Sequence, residues 1–385
     1  MRVITADETG LVKVVRVESG ECLAVNVGQQ TRARAVKALC HNNLFLFNSS
    51  SGSYSSKAAD YCSIHVARSA GAVETWDVSH FERDGVDGAG CSLSLRGTVD
   101  CPVSPLAITC LPPTAGSTHE PPRILTCSAD GQVQLFSPPP DKNASKPTLF
   151  SIRGPISTAV AVGTGVTGGS GAAVAAGGRD NDLKIYDVLS SRCTWKAKNA
   201  PHDFLDLRQP VWISSLLPLA PDEGLRQIVA GTAHRQVRLY DTRAQKRPTH
   251  SVDADEHGIT TMAVAPSGLE VVVADTAGLV RVLDLRNMHW GRRFAGPGGS
   301  VRGLAFHPTL PFLACVGLDR MMRVYNSKTA EQKHQVYLKQ RLNAVLFDDE
   351  GEVRVSSSGG GKDSTEHEKR NGKGGGGGGG GGIRE

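Results

Sequence analysis

The stretch Leu183-Lys184-Ile185-Tyr186-Asp187 decides the fold, because the same alternating pattern recurs along the whole chain. Each copy follows an apolar run and a polar turn, and it ends in an aromatic residue or Leu and usually a short polar residue. Alternation with a period of two residues is typical of strands that are half exposed on one face. Counting a divergent first copy, the pattern ends at Arg16, Asp77, Ser137, Asp187, Asp241, Asp284 and Asn326.

The spacing of these copies predicts a propeller with seven blades. A WD-type blade takes about 40–45 residues, and the last two intervals, Asp241 to Asp284 and Asp284 to Asn326, fit directly. The earlier intervals are longer and require loop insertions. Ser-, Gly- or Pro-rich stretches at 48–56, 112–122 and 138–147 supply them.

The two ends of the pattern predict how the ring closes. The first copy lies so near Met1 that its blade has only three strands, whereas one strand, 342–347, remains after the seventh blade and its outer strand 334–338. We expect this remaining strand to pair with the N-terminal blade, which removes exposed sheet edges. The predicted fold class is therefore all-β, a single seven-bladed WD40-type β-propeller over residues 1–350 that is closed by a C-terminal strand.

Composition describes the rest of the chain. Of its 385 residues, 39% are hydrophobic and 21% charged, as expected for a soluble globular protein with a sizeable core. Residues 356–385 are rich in Gly and Ser, and we predict a disordered tail there, because such a segment buries too little apolar surface to offset its ordering entropy. The formal charge of +5 is too small to indicate nucleic acid binding alone.

Compartment and chemistry are predicted mainly by what the sequence lacks. The nine cysteines include no C-x-x-C pair and are interpreted as small buried hydrophobes in a reducing compartment. We expect no signal peptide and no membrane span. The usual hydrolase, metalloprotease and phosphate-loop motifs are missing, so we expect no enzyme, catalytic residue, cofactor or metal. An enzymatic site at the mouth of the central channel, assembled from several blades, stays open.

The segment from Lys196 to Trp212 departs from the repeat. A minimal connection between blades needs only a few residues, but this one combines charges with Phe204, Leu205, Leu207 and Trp212. That composition suits a surface that binds a partner. The alternative is that its apolar residues fill a groove between blades.

Together with the run 177–187, this segment resembles the nucleolar ribosome-assembly factors of the WD repeat-containing protein 74 family. The resemblance rests on Lys198-Asn199 and on 203–212, and it covers roughly residues 170–347. Its further matches are 236–241, Arg247-Pro248, 300–304, His307-Pro308, 317–320, 336–339 and Leu342-Asn343.

The resemblance implies a non-enzymatic scaffold in nucleolar assembly of the large (60S) ribosomal subunit. Its partners would be the large-subunit pre-ribosomal particle, through assembly-factor proteins and pre-ribosomal RNA, and a AAA-type ATPase that releases it. The protein would be monomeric outside the particle, located in the nucleus and nucleolus, and without a membrane partner. Members of the family usually carry a markedly basic C-terminal tail, whereas this tail is glycine-rich and nearly neutral.

The predicted interaction surface lies mostly in turns and connections between strands, where side chains are exposed without disturbing the core. Its mixed charge indicates protein partners with some phosphate contact, because a site for RNA alone should be nearly all positive. For Asp206 and Asp319 a role as internal ion-pair partners that brace loops is equally open. The predicted residues are Arg179, Lys198, Asn199, Asp206, Arg208, Arg302, Asp319, Arg320 and Lys339.

The main alternative is a substrate receptor of a cullin-based ubiquitin ligase. Tyr240-Asp241-Thr242-Arg243 and Leu283-Asp284-Leu285-Arg286 each lie one residue away from the W-D-x-R signature of such receptors. Both lack Trp, and an Asp-x-Arg sequence after a strand also arises as a surface ion pair, which contributes less than ~1 kcal/mol.

Overall fold

The structure is a computed structural model that describes most of the chain up to Asp348. The described residues are 1–26, 28–41, 46–48, 53–55, 62–82, 89–101, 103–111, 123–136, 148–163, 172–202, 205–220 and 224–348. The predicted insertions 112–122 and 138–147, most of 48–56, and the predicted tail 356–385 lie outside them. The domain boundaries at 350 and 356 therefore stay predictions.

Short strands make up most of the described chain. The one helical element in the described ranges is a 3-10 helix, Arg32–Arg34. In chain order the strands are β1 (Arg2–Asp7), β2 (Val12–Arg16), β3 (Cys22–Val25), β4 (Val36–His41), β5 (Leu46–Asn48), β6 (Ser53–Ser55), β7 (Cys62–Arg68), β8 (Ala72–Glu82), β9 (Ala89–Asp100), β10 (Pro105–Leu111), β11 (Arg123–Ser128), β12 (Gln132–Phe136), β13 (Thr148–Ser151), β14 (Thr158–Gly163), β15 (Ala172–Gly178), β16 (Asn181–Asp187), β17 (Arg192–Lys196), β18 (Ile213–Pro218), β19 (Gln227–Thr232), β20 (Gln236–Asp241), β21 (His250–Asp253), β22 (Ile259–Val264), β23 (Glu270–Asp275), β24 (Val280–Asp284), β25 (His289–Phe294), β26 (Val301–Phe306), β27 (Phe312–Gly317), β28 (Met321–Asn326), β29 (Gln332–Tyr337) and β30 (Leu342–Asp348).

These strands form seven four-stranded antiparallel sheets, and the predicted seven-bladed propeller is confirmed. Blade 1 has the order β3-β2-β1-β30 and blade 2 the order β4-β7-β8-β9, while blades 3 to 7 each take four consecutive strands from β10 to β29. The hairpin β5–β6 forms a separate two-stranded sheet. The innermost strands β30, β4, β10, β14, β18, β22 and β26 contact one another in sequence around the ring.

The ring closes through the last described strand, as the sequence predicts. β30 pairs antiparallel with β1, in a register that runs from Arg2 opposite Asp348 to Asp7 opposite Leu342. Leu342 and Phe347 pack into the core shared with blade 7, whereas Leu346 packs toward blade 2. β30 therefore contributes to two blade interfaces as well as to its own sheet.

The hydrophobic core consists of separate layers between neighbouring blades rather than one central mass. Each of the seven blade interfaces holds its own apolar cluster. Blades are consequently covered on both faces, and strands such as β1 are buried along their whole length. This corrects the expectation of one exposed face in the repeated pattern: Arg238 and Arg323, at alternating positions of their strands, are buried by the adjacent blade.

One turn recurs at the same place in several blades. The residue at or just after the end of the second strand accepts hydrogen bonds from backbone N–H groups of the following turn, which stabilises the hairpin to the third strand. This residue is Asp7, Ser128, Thr232, Asp275 or Asp319. We call the side of the propeller that carries these turns the upper face and the opposite side the lower face.

Eight cysteines of the described chain are free thiols. Cys127 and Cys315 are buried, and burial raises the pKa of each thiol to about 12. Cys22 and Cys193 are exposed because each lies on an outermost strand, which corrects the expectation for these two positions. Within the described part of the chain, no helix is long and apolar enough to span a bilayer.

His65 on β7 should make the fold sensitive to mild acid. Its ring is fully buried, with Nδ1 3.1 Å from Thr75 Oγ1. Burial, the charge of His41 and then that of Arg96 lower the pKa from 6.5 to about 4, against the opposing effect of Asp77. The unfolded chain therefore binds a proton at pH values where the folded protein does not. Stability present above pH ~6.5 is lost as the pH falls toward ~4, by on the order of 3 kcal/mol.

The variant His65→Gln tests this expectation. Urea unfolding at pH 7 and at pH 4.5 should show a smaller loss of stability for the variant than for the wild type. Equal losses in both proteins would contradict the assignment.

Candidate interaction surface

The predicted interaction residues all belong to segments at the upper face. In an antiparallel blade, the turn between the second and third strands and the connection to the next blade lie at the same end of the sheet. Arg179, Asp319 and Arg320 occupy such turns, and Arg302 is the second residue of the innermost strand β26. The remaining five, Lys198, Asn199, Asp206, Arg208 and Lys339, lie in connections between blades.

Asn199 anchors the long connection between blades 4 and 5. Its side-chain Nδ2 donates to the carbonyl oxygen of Gln209 at 2.7 Å, which ties the beginning of the connection to its end. Its Oδ1 accepts from the backbone N–H of Ala200 at 2.8 Å and from Arg238 Nη1 at 3.0 Å. Asn199 is half-buried and holds the loop. Lys198 beside it is exposed, and its backbone N–H donates at 2.8 Å to the carbonyl oxygen of Lys246, between β20 and β21.

A buried cation lies beneath this connection. Arg238 is 1% exposed, and its guanidinium donates to the side-chain oxygens of Asn199 and Gln236 at 3.0 and 2.7 Å. Asp182 on the neighbouring blade is close enough to interact electrostatically with Arg208 and Arg238. Burial nevertheless raises the pKa of Asp182, outweighing those cations. The base of the connection is thus a fixed polar network between blades 4 and 5.

The connection both fills a groove and exposes apolar side chains, so each of the two interpretations applies to a different part of it. Ala197 and Val211, near its ends, are buried in the core between blades 4 and 5. In its middle, Leu205 and Leu207 are 62% and 58% exposed. Asp206 between them has a left-handed φ of +59°.

The carboxylate of Asp206 stays at the surface. It lies 2.7 Å from His202 Nδ1, and its side chain is 93% exposed. Asp203 and Phe204 lie outside the described residues.

Arg179 and Trp212 form a stacked pair at the upper face. The Arg179 guanidinium carbon lies 5.3 Å from the centroid of the Trp212 ring. The backbones of the two residues form an isolated antiparallel bridge. The His234 ring approaches Trp212 edge-on, with centroids 6.3 Å apart and an interplanar angle of 68°.

Asp319 is half-buried, and its carboxylate is engaged within the protein. Its carboxylate pairs with the guanidinium of Arg323 and accepts the backbone N–H of Met321 at 3.2 Å. This matches the alternative role of an internal partner that braces a loop. Its neighbour Arg320 is exposed and, like Lys339 on the adjoining connection, has a positive φ, of +66° and +68° respectively.

The two Asp-x-Arg sequences lie at the lower face, where the third strand turns into the outermost strand. In one, Asp284 pairs with Arg286 at 2.8 Å, and in the other, Asp241 accepts the backbone N–H of Arg243 at 2.9 Å. Both are local surface interactions within a single turn. They match the interpretation as simple ion pairs.

Two adjoining clefts open on the upper face beside Trp212. One, of about 450 Å³, extends from Gln209 past His234 and Arg235 to Glu256. The other, of about 490 Å³, shares Arg235 and Glu256 and continues to Arg293. Within the described ranges, no three His, Cys, Asp or Glu side chains are grouped so as to hold a metal ion.

Sequence reasoning missed three contributors to this region. Arg238 occupies a position that the strand alternation predicts to be exposed. Its burial could not be predicted, because the blade that covers it is distant in sequence. His234 and Arg235 occupy the turn before a predicted strand, and turn position alone does not indicate that they adjoin Trp212. The sequence did indicate one part of this region: the mixed charged and apolar composition of residues 196–212, which include Trp212, predicted a surface that binds a partner.

Comparison with known proteins agrees with this architecture. Residues 291–326 match the family described as "WD domain, G-beta repeat". The chain is 35% identical over 231 residues to WD repeat-containing protein 74 of Homo sapiens, covering 58% of this chain and 57% of that protein. It is 38% identical over 178 residues to WD repeat-containing protein 74 of Mus musculus, covering 45% of each.

A fungal relative extends the comparison. The chain is 26% identical over 203 residues to the ribosome biogenesis protein NSA1 of Yarrowia lipolytica, covering 46% of this chain and 49% of that protein. The chain spans about half the length of these curated relatives. The resemblance to the WD repeat-containing protein 74 family, inferred from the sequence, is confirmed.

Proposed function

We propose that this protein is a non-enzymatic scaffold in the assembly of the large (60S) ribosomal subunit and that it binds the pre-ribosomal particle through its upper face. The name of the NSA1 relative, a ribosome biogenesis protein, supports the process. The observation that carries the binding role is the arrangement of the connection between blades 4 and 5. Exposed cations and apolar side chains stand there on a base held by Asn199 and Arg238.

The chemistry of this surface favours mixed partners. Arg179, Arg208 and Arg320 are exposed, and guanidinium groups can bind carboxylate or phosphate in a bidentate manner. Leu205 and Leu207 provide apolar contact of the kind that protein interfaces bury. Assembly-factor proteins and pre-ribosomal RNA are the proposed partners, with a AAA-type ATPase as the release factor and the nucleolus as the location. We propose that the protein is a monomer outside the particle.

Charge reversal tests the role of the upper face. The triple variant Arg179→Glu, Arg208→Glu, Arg320→Glu changes three exposed side chains, so its melting temperature should stay within about 5 °C of the wild type. Because the variant repels phosphate and carboxylate groups, a sucrose gradient should show its loss from large-subunit precursors.

A matched control reverses cations on the lower face. Arg243→Glu combined with Arg286→Glu changes equally exposed guanidinium groups that belong to the Asp-x-Arg turns. This control should still co-sediment with the precursors. A triple variant that folds normally and also co-sediments would contradict the proposed surface, as would loss of the lower-face control from the precursors. Wild-type protein that co-purifies with a ligase adaptor and not with the precursors would favour the ubiquitin-ligase alternative.

A further inference from the structure

Trp212 is an exposed aromatic side chain that the core of the propeller does not require. Trp212 is 38% exposed, although it belongs to the segment that leads into the innermost strand of blade 5. The guanidinium of Arg179 covers its ring at 5.3 Å, and the edge of His234 approaches it at 6.3 Å. Three planar groups that can stack with a ligand therefore stand together at the upper face.

The position of Trp212 is fixed by the backbone of two blades. The carbonyl oxygen of Trp212 accepts the N–H of Ala233 in blade 5 at 2.8 Å, and that of Val211 accepts the N–H of Asp180 in blade 4 at 2.8 Å. A ligand that stacks here does not have to order the backbone first. Preorganisation of this kind increases affinity, because less conformational entropy is lost on binding.

The cleft next to His234 has the size and polarity for a nucleotide. Its volume of about 450 Å³ lies within the range of small-ligand sites. Gln209 and Gln236 line it, and their side-chain oxygens both accept from Arg238. Each amide –NH₂ is then the group able to donate to a ligand, while Glu256 in the same cleft supplies an acceptor. Donors and acceptors of this kind match the edge of a base.

Three exposed cations lie near the stacked groups, together with the acidic Asp180 and Glu256. Arg179, Arg208 and Arg235 are all exposed, and the last two flank the cleft and the connection. Phosphates of a nucleic acid backbone are stabilised by such cations, and bases of single strands stack on aromatic rings and on Arg planes. An acidic peptide would use the cations but would gain little from the stack of Trp212 and Arg179.

We propose that Trp212, Arg179 and His234 form a stacking site for an unpaired nucleotide of single-stranded RNA. The base stacks against the Trp212–Arg179 pair with its edge toward Gln209, Gln236 and Glu256, and the flanking phosphates contact Arg208 and Arg235. This site deepens the proposed function, on which it rests, by naming the chemistry of one of its ligands.

Fluorescence anisotropy of a labelled single-stranded RNA oligonucleotide at low salt tests the site. Wild-type protein should bind the RNA, and Trp212→Ala should bind it roughly 5- to 150-fold more weakly, the range for loss of one stacked base. Trp212→Phe keeps an aromatic face and should retain most of the affinity. Thermal unfolding of each variant establishes that it is folded.

The second Arg–Trp pair of the described chain is the matched control. Arg281 stacks on Trp290 at 5.2 Å, but the Asp255 carboxylate lies 2.8 Å from Arg281, and the Trp290 Nε1–H donates to the backbone carbonyl oxygen of Asp253 at 3.0 Å. Trp290→Ala should therefore bind the RNA with wild-type affinity.

Several outcomes would overturn the site. The site would be wrong if the wild-type protein did not bind the RNA, or if Trp212→Ala bound it with wild-type affinity. It would also be wrong if polyglutamate displaced the labelled RNA as effectively as unlabelled RNA does. The last result would assign the surface to an acidic protein segment. Gradient sedimentation separates this failure from that of the proposed function. If the wild-type protein sediments with large-subunit precursors, the proposed scaffold role stands; if it is absent from them, that role is contradicted.

Discussion

Deletion of the chain from Leu342 onward should abolish cooperative unfolding, whereas deletion from Ser356 onward should leave the melting temperature almost unchanged. The first deletion removes β30, which pairs along the whole of β1 and packs against blades 2 and 7. Blade 1 then loses its innermost strand, and β1 is left with unpaired N–H and C=O groups on an exposed edge. Differential scanning calorimetry of both truncated proteins is the measurement.

A point variant and a peptide make this expectation sharper. Leu342 is fully buried, so Leu342→Ala in the full-length chain should lower the free energy of unfolding by about 2–5 kcal/mol. A synthetic peptide of residues 340–349 should partly restore the fold of the shorter protein by adding a strand to the open edge. Two truncated proteins that melt alike would refute closure through β30.

Replacement of Arg68 by Ala should destabilise the ring by about 3–5 kcal/mol, the typical result of removing one partner of a buried ion pair. Arg68 is 1% exposed and donates to Glu74 Oε2 at 2.6 Å and to the carbonyl oxygen of Gly10 in blade 1 at 2.6 Å. Glu74 also accepts from Trp76 Nε1 and Arg34 Nη2, each at 2.9 Å. This network links blades 1 and 2, and without Arg68 a buried carboxylate loses its closest cation.

Arg96→Ala is the matched control within the same blade. Arg96 is about half exposed and lies 3.8 Å from Asp77, so its loss should change stability by less than ~1 kcal/mol. Chemical unfolding of the two variants measures the difference. A similarly small effect for Arg68→Ala would show that the buried network contributes little to the interface between blades 1 and 2.

The titration of Glu74 adds a pH dependence to this network. Burial raises the pKa of Glu74, but the hydrogen bond and charge of Arg68, with Trp76 and Arg34, outweigh it, so the pKa is lowered. The ionised carboxylate thus contributes stability above its ordinary pKa, and that contribution is lost as the pH falls through the lowered value. The variant Glu74→Gln should lose this part of the acid dependence.

The repeat pattern was sufficient for the architecture because each blade is a local unit. The strand Leu183–Asp187 and its counterparts are built from neighbours in sequence, so their alternation and turns could be recognised directly. The closing strand could also be predicted, because Leu342, Ala344 and Leu346 repeat the pattern of the innermost strands. The fold of each blade was therefore largely accessible from the sequence.

Contacts between blades were less accessible, since they join residues far apart in the chain. Alternation suggested an exposed face, but Arg238 and Arg323 lie under the next blade. The predicted interaction residues proved to belong to the upper face, yet their different environments did not follow from the sequence. Asn199 anchors a loop and Asp319 braces one, while Arg179 stacks on Trp212.

The pairing of β1 with β30 also sets an order of events during synthesis. β1 is synthesised well before β30, the last described strand, so their contact waits for more than 330 residues of translation. At ~5–20 residues per second, this delay is roughly 20 to 70 seconds. Throughout that time the edge of β1 that β30 will cover stays open in the nascent chain. Assistance that acts during synthesis would therefore have to cover the unpaired edge of β1 before β30 arrives.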